Sequence, residues 1–441
     1  MKVARRPGWG QLTVEYGFVL AICAALAHMV LFFFENGYLR QPFYYEPSGT
    51  WMDWFSLTYY AHHAGAYAVE KTIYPPLSFV IMKLFSVAHC YDLTRSEEVR
   101  ACDWLGEWAM VGFWLVAVVI TFLTFYRLDR WTAFPRAFAL SFGFPMLYGF
   151  ERGNLIIIGY SFYLLAFGPL LRSARLRWLC AGMVVNLKVY MIAAIVAPLL
   201  RRRWMAVEGM IGASILVYLV TWQILGEGSP SEVLSNLTSY SEGFGAQHVL
   251  DLWFASSLVP LRTLMTSDMP LETILSSGQI SGIIWATTIV TYLGQGMAVA
   301  AALAAWLRPE VVPTRRLIFF AAAVALSTKE AGGYTEILLL FSIFSEAWRG
   351  FGRKFSIFMG YALCIPDDFV TGKLPPLIRS SYLSGHEVIA EFGVGVISLL
   401  RPAVMLFIVM ALACVTFRDV WADYRQDGRI LRWRYRNDMP L

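Results

Sequence analysis

Asp53 stands in the run Thr50-Trp51-Met52-Asp53-Trp54-Phe55, a carboxylate among aromatic residues. Partial desolvation there raises the proton affinity of a carboxylate towards that of a useful general base. The position equally suits a helix N-cap or a solvated loop acid, because a short acceptor side chain satisfies free amides. Glu46, a little upstream, competes for the same chemical role. Arg152, in Glu151-Arg152-Gly153-Asn154, has the chemistry to hold a phosphate by charge-assisted hydrogen bonds, with Asn154 beside it. The plainer alternative is a surface pair with Glu151 or a snorkelling side chain. Lys188 interrupts one apolar run, and Arg401-Pro402 falls inside another. A charge at the bilayer centre costs roughly 2.5–3.5 kcal/mol or more, so each must face a cavity or a partner, or snorkel from a helix end. In Tyr74-Pro75-Pro76-Leu77 the prolines fix an extended entry and suit Pro76 to a first helical turn.

Other chemistries are not indicated. The six histidines show no zinc-ligand spacing, and the six cysteines contain no Cys-x-x-Cys pair. A Gly-rich phosphate loop with its lysine is absent, which disfavours an ATP-driven pump. Neither a metal nor a cofactor is therefore expected. Cys90 and Cys102 leave two possibilities open: free thiols, or a bridge worth roughly 3 kcal/mol for so short a loop. Asn236-Leu237-Thr238 matches a glycosylation sequon, a triplet that often occurs by chance.

The elements that must position these residues are membrane helices. The chain has 441 residues, 58% of them hydrophobic, and a mean hydropathy of +0.55. Only 15% are charged, against about 25% in soluble domains. Residues 17–34 and 280–306 carry no charge at all, the signature of spanning helices. Residues 17–34 exceed the apolar region of a signal peptide and lack a small-x-small cleavage site, so they read as a retained anchor. The net charge of +5 does not point to nucleic acid. The basic residues sit in short clusters between apolar runs, among them Arg201-Arg202-Arg203 and Arg315-Arg316, as the positive-inside rule requires.

Setting those clusters in the cytoplasm yields an all-α polytopic bundle of about ten spans, with both termini cytoplasmic. The spans fall near 17–34, 108–126, 135–150, 154–171, 205–223, 280–306, 316–328, 335–348, 355–365 and 392–417. Residues 178–200 are basic at both ends and polar at Asn186-Leu187-Lys188, which predicts a broken or re-entrant pair of half-helices. Residues 35–107 form an outer loop in which 54–68 and 75–89 are short surface helices. The acidic stretch 91–107, the tips at Glu151–Asn154 and Lys329-Glu330, and the loops at 224–278 and up to 391 also lie outside. Residues 1–441 form one membrane domain, with no internal repeat.

These residues, taken in order, resemble the GT-C superfamily of membrane glycosyltransferases, and most of all glycosyltransferase family 87, whose type member uses polyprenol-phosphate-mannose. The resemblance rests on Asp53 before Tyr59-Tyr60-Ala61 and Gly65-Ala66-Tyr67, on Tyr74-Pro75-Pro76-Leu77, and on Pro145 with Arg152-Gly153-Asn154. It continues in Gly182, Asn186-Leu187-Lys188-Val189-Tyr190 and the basic loop Arg201-Arg202-Arg203-Trp204. The family's Gln is missing at the hairpin. Its Ser-Pro and Trp-x-His region is replaced by Ser327-Thr328-Lys329-Glu330-Ala331-Gly332-Gly333-Tyr334.

The resemblance implies that a hexose such as mannose moves from a polyprenyl-phosphate donor to a lipid or glycan acceptor on the outer face of the cell membrane, with inversion. Asp53 matches the family's base. Lys188 and Arg152 would meet the donor phosphate, and Asn154, Tyr74, Arg401 and Glu46 are further candidates for substrate contact. Two other functions compete. A lipid-linked polysaccharide polymerase or ligase calls for Arg-rich outer loops, yet 224–278 holds only Arg262. A transporter or flippase calls for charged pairs near the bilayer midplane.

Overall fold

A computed structural model describes residues 8–43, 46–92, 96–243, 256–265, 275–328, 331–373 and 375–428. The chain opens with α1 (Trp9–Asn36), which ends at Gly37 in the left-handed conformation. The short helices α2 (Met52–His62) and α3 (Pro76–Leu84) follow, with Pro75 and Pro76 opening α3 as the sequence predicts. Helix α4 (Ser96–Cys102) leads directly into α5 (Trp104–Leu128).

The expected third and fourth spans are shorter, broken pieces. Helix α6 (Ala133–Phe142) stops at Gly143, and α7 (Phe144–Arg152) restarts with Pro145 in its first turn. Helix α8 (Ile156–Phe167) is buried on nearly every side. Residues 174–200 break where the polar insertion predicts: α9 (Ala174–Leu187) ends at Lys188, a 3-10 turn covers Val189–Ile195, and α10 is Val196–Leu200. Asn186 fixes the break by donating from Nδ2 to the carbonyls of Gly182 and of Ser214 on the next helix, 2.9 Å each.

The second half contains α11 (Trp204–Leu225), α12 (Pro230–Gly243), α13 (Val259–Met265), α14 (Ser277–Leu307), α15 (Thr314–Thr328), α16 (Glu336–Phe344), α17 (Phe351–Leu363) and α18 (Val396–Asp427). Lys329-Glu330, the expected tip between α15 and α16, lies outside the described residues.

Among the described residues, five helices are long and apolar enough to cross a membrane: α1, α5, α11, α14 and α18. The shortest has 22 residues, and at 1.5 Å per residue it matches a hydrocarbon core about 30 Å thick. The fold is that of a helical membrane protein. One departure from the all-α expectation follows α17. Antiparallel strands β1 (Val370–Lys373) and β4 (Gly393–Gly395) pair, as do β2 (Leu377–Ser380) and β3 (Glu387–Ala390), with Leu377 opposite Ala390. The β-branched residues Val370, Thr371, Ile378, Val388 and Ile389 favour this pairing, but the runs are too short to show a period against a helical background.

Several arginines of the basic clusters are buried, among them Arg136, Arg177, Arg202, Arg316 and Arg353. Arg136 forms a salt bridge to the fully buried Glu15 of α1 at 3.0 Å and donates to the Phe344 carbonyl, while Tyr361 donates to the same Glu15 at 2.8 Å. Arg316 and Arg353 share Glu346 and Asp419, and Arg308 takes Asp423 at 2.8 Å. This network includes Glu15 near the start of α1. Beyond the other end of α1, Tyr38 and Gln41 bond the backbone at Glu391 and Gly393. The Glu15 network thus lies at the opposite end of α1 from the strands. The sequon asparagine Asn236 is buried and donates to the carbonyls of Tyr67 and Thr72, 3.0 Å each, so it serves as a clamp on the surface segment.

Candidate active site at the α2 and α7 junction

Asp53 occupies the first turn of α2, just after Trp51, whose φ of 63° is left-handed. That conformation costs a non-glycine residue roughly 1–2 kcal/mol. It is held by the Trp51 N–H donating to the Glu151 carbonyl at 2.7 Å and by the indole packing on Phe150 and Tyr382. Strain of this kind persists where the surroundings over-determine the backbone, commonly at functional sites.

The partner turn is Arg152-Gly153-Asn154, which ends α7. Gly153 has φ 68°, and a Cβ there would lie 2.9 Å from the Trp51 carbonyl, so glycine alone lets the two turns meet. Arg152 Nη2 then reaches Asp53 Oδ1 at 2.5 Å and its Nη1 donates to the Gly49 carbonyl at 3.1 Å. Asn154 Nδ2 donates to Asp53 Oδ2 at 2.8 Å, while Asn154 Oδ1 accepts from the Ile156 N–H and thereby fixes the amide orientation. Both carboxylate oxygens thus keep one anchored donor. The Asp53 side chain is still 26% exposed, so a further hydroxyl can approach.

Lys188 sits at the break between α9 and the 3-10 turn and is buried. No carboxylate forms a salt bridge with it among the described residues; the charge whose field reaches it is Asp53. Its ammonium lies over the rings of Tyr74 (5.0 Å) and Tyr334 (5.4 Å), which offset part of the lost hydration. The hydroxyl of Tyr190, two residues on, is buried without a hydrogen-bond partner among the described residues. Such an arrangement is well suited to take up an anionic group, because a buried unpaired cation and a buried free hydroxyl are both costly until something binds them.

Five of the residues singled out in the sequence therefore converge: Asp53, Arg152, Asn154, Lys188 and Tyr74. Two do not join them. Arg401 is fully buried, with Nη1 and Nη2 donating to the carbonyls of Leu363 and Ile365 at 2.6 and 3.1 Å, its guanidinium over Phe144, and Glu336 at 3.6 Å. It braces α17 against α18. Glu46 accepts from Ser48 Oγ at 3.0 Å and pairs with Arg379 at 2.8 Å on the far side of the 46–51 segment. Tyr190 and Tyr334 belong to runs quoted from the sequence but had no expected role. Tyr334 is marked by its approach to Lys188 and Asp53, and Tyr190 by its nearness to Tyr74 and Tyr334.

The segment that follows α2 and α3 is cross-linked. Cys90 and Cys102 form a disulfide, resolving the alternatives that the sequence leaves open. Next to it, Asp103 is buried and accepts from the N–H groups of Val87 and Gly106 and from the Tyr91 hydroxyl at 2.5 Å. Burial, and then this carboxylate, push the Tyr91 phenol well above its usual range, so it stays a donor. Among the described residues, His89, Cys90 and Cys102 are the one group close enough to share a metal ion, but sulfurs bonded to each other are not thiolate ligands.

The family model for glycosyltransferase family 87 matches residues 72–328, more than half of the chain. The match includes Tyr74, Arg152, Asn154 and Lys188, while Asp53, Glu46 and Arg401 lie outside it. No curated protein and no solved structure matches. The extent of this match, on a chain of membrane helices, shows that the protein is a GT-C-type membrane glycosyltransferase and belongs to glycosyltransferase family 87.

Proposed function

We propose that this glycosyltransferase moves a hexose, with mannose the first candidate, from a polyprenyl-phosphate sugar to a carbohydrate or lipid acceptor at the outer face of the cell membrane, with inversion. The observation that carries this reading is the pairing of an accessible, doubly held carboxylate, Asp53, with a buried ammonium, Lys188, that has no carboxylate of its own among the described residues. The acceptor hydroxyl approaches the exposed side of Asp53. As its oxygen bonds to the anomeric carbon, its proton passes to the carboxylate. The bond from that carbon to the phosphate oxygen breaks on the opposite face, and the polyprenyl phosphate leaves with the electron pair. Lys188 and the Tyr190 hydroxyl stabilise the charge that gathers on the leaving oxygen, an effect that is largest where water is excluded.

Arg152 takes a different part from the one its type suggests. Its guanidinium is committed to Asp53 and Gly49, so it keeps the carboxylate aimed, and its contribution to phosphate binding is secondary. No metal or cofactor is required by this scheme. The shorter helices α6 to α10 and α15 to α17 are read as completing a bundle of about ten spans, both termini cytoplasmic and residues 35–107 outside, all within one membrane domain. The buried Arg401 and Glu336 are the kind of pair that a transporter would use, but bonds from Arg401 to two backbone carbonyls favour a brace.

The reading is tested by incubating the purified protein in lipid nanodiscs with radiolabelled polyprenyl-phosphate mannose, glucose or galactose and a glycan and glycolipid extract. Label should move to the extract from one donor and release free polyprenyl phosphate. Label that stays on all the donors would exclude the proposed donor class.

A further inference from the structure

A second polar site opens on the other side of the segment that carries Asp53. Residues 46–51 run as a strap pinned from both flanks. Arg152 holds the Gly49 carbonyl, whereas Arg100 Nη1 donates to the carbonyls of Ser48 (2.8 Å) and Thr50. Beyond the strap, Glu46, Ser48, Arg100, Arg379, Ser380 and Tyr382 line an open cleft of about 690 Å³. That volume lies within the range of about 300–1,000 Å³ typical of small-ligand sites. The far wall is the β2–β3 hairpin, and it is tied to the strap by the Tyr382 N–H donating to the Pro47 carbonyl at 3.2 Å.

The charges in this cleft are already used. Glu46 pairs with Arg379 Nε, and Arg100 bonds the strap and lies 3.6 Å over the Tyr382 ring. The Tyr382 hydroxyl donates to Glu107 at 2.5 Å; burial, and then that carboxylate, raise its proton affinity, so it does not ionise. What remains facing the cleft is a mixture of donors and acceptors whose charged members are already engaged, Glu46 with Arg379 and Arg100 with the strap carbonyls. The Ser380 hydroxyl and Arg379 Nη2 have no hydrogen-bond partner among the described residues, and the Glu46 carboxylate and Ser48 hydroxyl keep free lone pairs. Interleaved donors and acceptors whose charged groups are already engaged match the vicinal hydroxyls of a sugar ring better than a phosphate.

From this we infer that the cleft is the acceptor subsite and takes neutral pyranose units, either of a free glycan or of a glycolipid headgroup. The inference rests on the reading of Asp53 as base: Arg152 bonds both the Gly49 carbonyl of the strap and Asp53, so the cleft lies against the segment that leads to the base. Glu46, a rival base by sequence, becomes a specificity residue, since its carboxylate is held towards Arg379 and the cleft.

Saturation-transfer NMR on the full chain in nanodiscs tests this with a panel of neutral mono- to tetrasaccharides, their octyl glycosides, and a hexose phosphate as ionic control. At least one neutral saccharide should bind the wild type and Asp53→Asn alike. Ser380→Trp, which fills the cleft, and Arg379→Ala should each weaken it tenfold or more without changing donor binding or melting temperature. Preference for the octyl form would identify a glycolipid as the source, and equal binding a free glycan. The inference is overturned if no neutral saccharide binds, if the variants bind as well as the wild type, or if the hexose phosphate binds best. Normal turnover by Asp53→Asn together with sugar binding lost in Ser380→Trp would keep the cleft and reject the base.

Discussion

Lys188 shows most sharply what the site costs the protein. A buried ammonium without an ion pair is destabilising, and the two aromatic rings over which it lies offset only part of that. Lys188→Met keeps the length and the apolar stem and removes the charge. The melting temperature should rise or stay level, while turnover falls about 100-fold or more, the usual loss when one group that stabilises a developing anion is deleted. Donor affinity should change far less, because the charge matters most as the phosphate leaves. Thermal melts and turnover on the same purified variant check this; a variant that loses stability but keeps its specific activity would mark Lys188 as structural. The charged members of the site were legible because charge is conspicuous in an apolar run. Tyr190 and Tyr334 were not, since in a chain that is 16% aromatic nothing in their spacing sets them apart. Arg401 shows the converse. It is as conspicuous as Lys188, but Glu336 lies far away in sequence, and only the packing of α17 against both α16 and α18 brings the two together.

Two short turns and a disulfide position the base. The sequence foresaw α2, α3 and the break at Lys188, because prolines and a polar insertion in an apolar run leave local marks. It did not foresee that α6 and α7 would part at Gly143, or that 370–395 would pair as strands. Both outcomes depend on neighbours: a Cβ at Gly143 would lie 2.8 Å from Cys364, and the strands find partners only through the hairpins. The Cys90–Cys102 bridge closes a loop with a sequence separation of 12, which predicts about 3 kcal/mol of stabilisation. Because the bridge joins the segment before α4 to the segment leading into α5, its loss should loosen Arg100 and the 46–51 strap. Replacing both cysteines with serine should lower the melting temperature and reduce turnover several-fold. An unchanged melt, followed by circular dichroism in the same lipid, would contradict this.

For the whole molecule, the membrane class and the places of the five long helices were legible, because long uncharged runs have few alternatives, although α1 begins earlier and α18 ends later than their apolar runs. The basic clusters were read as topological markers, yet many are buried in ion pairs that knit α1, α6, α15, α17 and α18 together. That role depends on contacts between distant helices and has no local signature. Glu15→Gln leaves Arg136 with a buried charge and a weakened partner, so it should cost about 3–5 kcal/mol, read as a clear fall in melting temperature. Specific activity of the folded fraction should stay near normal, since this network lies at the start of α1, while Asp53 follows its other end. Loss of activity without loss of stability would show that the two ends are coupled.

The central claim is that Asp53 accepts the acceptor's proton, and Asp53→Asn tests it most directly. The amide keeps the size and one acceptor oxygen for Arg152 and Asn154 but is no longer a base. Turnover with the labelled polyprenyl-phosphate sugar should fall by roughly 100- to 10,000-fold, the usual contribution of general base catalysis, while donor binding and the melting temperature stay close to those of the wild type. Turnover within threefold of the wild type in a correctly folded Asp53→Asn protein would contradict the account.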